Sequence, residues 1–154
     1  MSVKVAFFDV DGVLSVPRYR HPDGSIKPGG TDDWWLDFNI KHADTYKDCK
    51  APNCMKSAIA LLRESNTKIM VLTEEHLSFT LNNKAKWVFE NYGIPFEDII
   101  WVDNKDAKID IIKRYCKIHD IPLDECLFVD DTFPIVIKAS IEGIHSMHIS
   151  EFLK

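Results

Sequence analysis

The chain has 154 residues, enough for one domain with a sizeable core, and its 45% hydrophobic and 28% charged residues are ordinary for a globular protein. Its formal net charge of −5 offers no global field for nucleic acid or an anionic membrane surface. No apolar stretch approaches the roughly 20 residues of a membrane helix, and Met1 to Phe8 lacks the layout of a signal peptide, so a cytoplasmic protein is expected.

The first predicted strand, Val3 to Phe8, is a continuous apolar run that ends in Asp9 and Asp11. Unpaired buried carboxylates are costly, so such a pair calls for protons, cations or a metal. The next strand comes late: Asp9 and Thr73 are 64 positions apart, whereas a βαβ unit takes about 30 residues. The excess lies in residues 15–53, rich in proline and glycine up to Gly30 and then reading "TDDWWLDFNIKHADTY". Leaving from the end of the first strand, this insertion is expected to cross the site mouth as a small lid. Trp34, Trp35 and Phe38 either pack it onto the domain or touch substrate. Cys49, Cys54, Cys116 and Cys126 read as reduced thiols. A zinc clip of Cys49 and Cys54 with His42 and His21 is the rival, but its spacing is no CxxC pair.

Beyond the insertion, Met55, Ala58, Ile59 and Leu62 predict a helix leading to a strand at Ile69 to Leu72. Leu77, Leu81, Ala85, Val88 and Tyr92 predict another, with Lys84 and Lys86 on its solvated face beside a buried Trp87. A strand at Ile99 to Val102 follows, with Trp101 in the core, then a helix through Ile111, Ile112, Tyr115 and Ile118. Leu127 to Val129 is the next strand. Pro134 suits the first turn of a short helix to about Ala139, and Ile144 to Met147 is the last strand. Gly93 and Gly143 mark helix ends.

Apolar strands alternating with helices predict an α/β domain, a doubly wound, Rossmann-like parallel sheet spanning residues 1–154. Ligands bind such sheets beyond the carboxyl ends of the strands. Those ends carry Asp9 and Asp11, then Thr73, Glu74 and Glu75, then Asp103 and Asn104, then Asp130 and Asp131. That face reads as a metal and anion site. His42, His76, His119, His145 and His148 share no metal-ligand spacing and read as surface or loop residues.

Phosphate-ester hydrolysis would use these groups. A carboxylate can approach an anionic phosphate only when a cation screens it, and magnesium binds hard carboxylate oxygens together with substrate phosphate. "DVDGVL", "VLT", a lysine at the head of a helix and "FVDD", in that order, resemble the haloacid dehalogenase (HAD) superfamily, mostly phosphatases. The resemblance implies that Asp9 is the nucleophile, forming an aspartyl-phosphate and binding Mg2+. It implies that Asp11 is the general acid and base, with its backbone carbonyl on the metal. Thr73 and Lys108 would hold the phosphate, with Lys105 the rival lysine. Asp131 would be the main acidic metal ligand, and Asp130 would act behind it or through water. Family dehalogenases lack the second acid, so Asp11 argues for phosphoryl transfer. After Thr73 the chain departs from the family pattern, with Glu74 and Glu75 where a small residue or Asn is common. They read as facing solvent at the following helix N-terminus, or else as contacting a cationic or hydroxyl-bearing part of the substrate.

The expected activity is hydrolysis of a small phosphate monoester, with no nucleic-acid or membrane partner. The alternatives are a phosphatase for a nucleic-acid end or phosphoprotein, and a non-catalytic module that binds a phosphorylated ligand.

Overall fold

Four successive apolar residues, Val5–Phe8, form β1, and all four are fully buried. A strand with no polar side needs a covered sheet, and that is its setting in the computed structural model, which describes residues 2–42, 44–75 and 78–154. β1 is the centre of a parallel sheet with β4 (Lys68–Glu74), β5 (Ile99–Val102), β6 (Cys126–Asp130) and β7 (His145–His148), in the order β5-β4-β1-β6-β7. The α/β expectation therefore holds, each strand lying within a few residues of its predicted place.

Alternate residues of β1 feed two cores. Ala6 and Phe8 pack with Met55 and Ile59 of α2 (Asn53–Glu64) and with Val88 and Tyr92 of α3 (Ser78–Tyr92). Val5 and Phe7 face the other side, with Ile109 and Ile112 of α4 (Ala107–Ile118) and Ile135 and Ala139 of α5 (Phe133–Ile141). Phe152, in the last short helix α6 (Ile149–Phe152), meets Phe8 edge-on at 5.5 Å between ring centroids. The predicted first position of α3, Leu77, lies outside the described residues, as does His76. Gly93 and Gly143 adopt φ of +64° and +90° just past α3 and α5, the left-handed geometry that ends helices.

Register positions the site. Phe8 pairs with Val71 of β4 and with Val129 of β6, so the next residues on β1 and β6, Asp9 and Asp130, emerge side by side. The chain winds outward from β1 through β4 to β5 and then returns to β6 on the other side of β1. The crevice between β1 and β6 is thus the topological switch point.

Residues 15–53 hold more regular structure than was expected. A two-stranded ribbon, β2 (Tyr19–Arg20) with β3 (Ile26–Lys27), precedes a helix, α1 (Asp32–Lys41). Val16 donates its backbone N–H to the Lys50 carbonyl at 2.8 Å, closing the base of the excursion. All four cysteines are free thiols. Among the described residues no helix is long and apolar enough to cross a membrane.

Candidate active site

β1 delivers Asp9, which is 6% exposed, into a turn from Val10 to Ser15. Gly12 makes that turn with φ +81°, and a Cβ there would collide with the Asp131 carboxylate. Only glycine lets this turn pass so close to the end of β6. Asp9, Asp130 and Asp131 each place a carboxylate oxygen within 4.8 Å of the others.

Lys108, from the first turn of α4, lies fully buried between two of these acids. Its Nζ donates to Asp130 Oδ2 at 2.7 Å and is 3.3 Å from Asp9 Oδ1. The second Asp130 oxygen accepts the Thr132 backbone N–H at 2.9 Å, so both its oxygens are engaged. Burial pushes the Asp9 carboxyl up to about 6 despite the nearby Lys108 charge. Burial alone would lower Lys108, but Asp9 and Asp130 outweigh it and hold the ammonium above its ordinary range. Asp131 is exposed, and partial burial with Asp130 beside it raises its carboxyl. Lys105 stands on the rim, where its Nζ reaches Thr132 Oγ1 at 3.3 Å.

Asp11 sits in a separate cage. Its Oδ1 accepts the hydroxyls of Tyr46 at 2.8 Å and Tyr19 at 3.2 Å, both from the insertion, while its Oδ2 is 3.1 Å from Lys84 Nζ. Burial opposes its charge, but Lys84 and the two tyrosines prevail and hold it below the usual carboxylate range. Desolvation, reinforced by Asp11, pushes both tyrosine hydroxyls up, so they remain protonated donors.

Lys84 corrects the sequence reading. Rather than lying on a solvated face, it is 3% exposed and also donates to the Glu74 carbonyl at 3.0 Å and the Thr73 hydroxyl oxygen at 3.4 Å. It is four residues from Thr80 and from Val88, both buried in the structure, and so lies on the inward stripe of α3. Lys86, two residues on, is exposed as expected. The solvent-facing reading of Glu74 and Glu75 is corrected as well. Both are half-buried and line the pocket, and Glu75 is 3.2 Å from Lys84. The excess of acid there is what a buried lysine required. Tyr19 and Tyr46 carried no sequence signal, because nothing in the spacing ties them to Asp11.

These groups line an open pocket of about 710 Å3, whose floor includes Asp9, Asp11, Thr73 and Asp131, with Lys105 at the edge. Lys108 lies beneath this floor rather than on it. Asp103 is exposed and is not among the lining residues. The insertion's aromatic residues divide. Trp35 lines the pocket, whereas Trp34 is stacked between His21 and Phe38 at 4.3 and 4.8 Å. Cys49 and Cys54 belong to no metal-ligand cluster among the described residues, where the three aspartates form the one such group. His148 reaches the Asp131 carbonyl at 3.0 Å.

No family model matches the chain, and no curated protein matches it in sequence. Solved structures do match in fold. A Streptomyces avermitilis protein assigned to the HAD family hydrolases shares 14% identity at a TM-score of 0.57, over 96% of this chain and 67% of its own. The 3-deoxy-D-manno-octulosonate 8-phosphate phosphatase of Moraxella catarrhalis, solved with magnesium, phosphate and 3-deoxy-D-manno-octulosonate, shares 18% identity at 0.54, over 94% and 67%. D,D-heptose 1,7-bisphosphate phosphatase of Burkholderia thailandensis shares 15% at 0.56, over 92% and 74%. This chain spans as little as 63% of such a structure's length, as with a hypothetical protein of Xanthomonas campestris. The fold is that of the HAD hydrolases.

Proposed function

We propose that this protein is a Mg2+-dependent phosphatase that hydrolyses a small phosphate monoester through an aspartyl-phosphate on Asp9. The observation that carries the reading is the join of β1 and β6, where the carboxylates of Asp9, Asp130 and Asp131 converge and the buried Lys108 ammonium pairs with the first two. The fold neighbours named for sugar-phosphate hydrolysis, one of them holding magnesium and phosphate, support it.

The donor set suits a hard divalent cation: clustered carboxylate oxygens, with the Gly12 turn leaving room for Asp131. Asp9 and Asp131 would hold Mg2+ directly together with the Asp11 carbonyl, while Asp130 would act from behind by fixing Lys108. When bound, the ion supplies positive charge that lets the anionic ester approach the carboxylates.

The chain's own residues supply the rest. Asp9 attacks phosphorus, and Lys108 keeps the attacking carboxylate charged and aimed. The Thr73 hydroxyl accepts from Lys84 and keeps its own hydrogen for a phosphate oxygen. Asp11 is the proton carrier. Its cage holds it ionised in the resting site, the form that takes a proton from the water attacking the aspartyl-phosphate. In the preceding step Asp11, protonated from solvent, gives that proton to the departing alkoxide and is left ionised for the water. Residues 15–53 serve as the lid and, through Tyr19 and Tyr46, orient Asp11.

The test is turnover of p-nitrophenyl phosphate with and without magnesium, beside Asp9→Asn. Magnesium-dependent hydrolysis that falls at least about a thousandfold in the variant is expected, as for loss of a covalent nucleophile. Absence of turnover across a broad panel of phosphate esters would favour a phospho-ligand-binding module.

A further inference from the structure

Asp11 follows β1 into a turn and is only half-buried, so its backbone does not fix its carboxylate. Donors from three separate segments do: Tyr19 of β2, Tyr46 of the loop before α2, and Lys84 of α3. Each donor is itself held. The Tyr19 ring meets Trp35 and Phe38 of α1 edge-on, at 4.6 and 5.6 Å between centroids. The Tyr46 backbone N–H donates to Asp44 Oδ1 at 3.1 Å, and its carbonyl accepts from the Cys49 N–H at 3.0 Å. Its ring leans on Trp87 at 5.7 Å. Trp87 stands three residues after Lys84, on the same side of α3, so one helix supports the cage twice.

The donors fall unequally on the two oxygens. A carboxylate oxygen accepts about two hydrogen bonds. Tyr46 and Tyr19 both fall on Oδ1 and fill it, whereas Oδ2 has Lys84 alone among the described residues. An ammonium only donates, and Lys84 also serves the Glu74 carbonyl, so it takes no proton from Asp11. The remaining acceptor position is on Oδ2. We propose that Tyr46 is a positioning residue for proton transfer: with Tyr19 it closes Oδ1, so that Oδ2 alone gives and takes the proton, and the insertion thereby sets how poor a leaving group the site can expel. This deepens the phosphatase reading and rests on it. As the bond from Asp9 to phosphorus forms and the ester P–O bond breaks, the Oδ2 proton passes to the departing oxygen. As water then attacks phosphorus and the bond to Asp9 breaks, Oδ2 takes a proton from that water. A misaimed Oδ2 costs most where the departing oxygen is strongly basic, because an alkoxide needs the proton and a dinitrophenolate does not. The cage therefore suits esters of unactivated alcohols.

The test compares kcat/KM for benzyl phosphate with kcat/KM for 2,4-dinitrophenyl phosphate, in magnesium. This constant covers the steps up to departure of the leaving group and not hydrolysis of the aspartyl-phosphate. Tyr46→Phe removes the hydroxyl and keeps the ring that packs on Trp87. It is expected to lose at least about tenfold more on the benzyl ester than on the dinitrophenyl ester, the scale of one hydrogen bond to a charged group. Asp11→Asn marks the limit of that change. Tyr19→Phe, on the longer contact, is expected to act in the same direction, and it carries the test if Tyr46→Phe does not fold. Equal losses on the two esters are what a merely structural role would give. They would overturn the inference and leave the phosphatase reading standing. No turnover of either ester by the wild type would overturn both.

Discussion

Lys108 satisfies two acids at once, and its removal would strand Asp130 fully buried with no cation. Breaking a buried pair from one side costs about 3–5 kcal/mol. Lys108→Met is therefore expected to lose about that much stability in urea unfolding, and adding Asp130→Asn is expected to recover part of it. An unchanged midpoint in the single variant would show that Asp130 finds another partner. The aspartates were legible because each falls where an apolar run stops, whereas Lys108 was set ahead of Lys105 only by its resemblance to the family's motif spacing. Lys84 was not legible, since a lysine beside an apolar stripe reads as solvated until its counter-charges, Asp11 and Glu75, are brought to it from two other elements.

α1 shows what an element needs when its sequence is a weak helix signal. A ten-residue helix is marginal on its own. Thr31 caps it by accepting the Trp34 N–H, and Trp34 anchors a stack that runs from His21 through Phe38 to His42. A Cβ on Gly29 or Gly30 would meet the rings of Trp35 or Trp34 within 3 Å, so the preceding glycines allow the close packing. Trp34→Ala is expected to abolish amide-exchange protection across residues 33–41 while leaving β1 and β4 protected, as read by hydrogen exchange with mass spectrometry. Loss of protection throughout would mean that the insertion and the sheet unfold as one unit. The ribbon and helix escaped the sequence reading for the same reason. β2 and β3 have two residues each, and in α1 only Trp34, Trp35 and Phe38 pack on other rings, while Leu36 and Ile40 stay exposed.

At the scale of the whole molecule, three carboxylates gather where the central strands β1 and β6 end, and the Lys108 ammonium pairs with only two of them, so a further cation there is expected to favour the folded state. Bound as proposed, magnesium at a hundred times its dissociation constant would add about 2.7 kcal/mol to stability, a rise of roughly 5–11 °C in Tm for a chain of this size. Thermal unfolding with increasing magnesium is expected to show that rise, and Asp131→Asn to remove it. An equal rise in the variant would place the ion elsewhere. The sequence by itself determined the parallel sheet, its strands and the acidic character of its carboxyl edge, because period and punctuation are local properties of a chain. The tertiary structure alone decided that Lys84 turns inward, that Tyr19 and Tyr46 hold Asp11, and that Trp35 rather than Trp34 borders the pocket. Those outcomes depend on charges and rings from distant segments meeting in one space, and no spacing along the chain encodes that meeting.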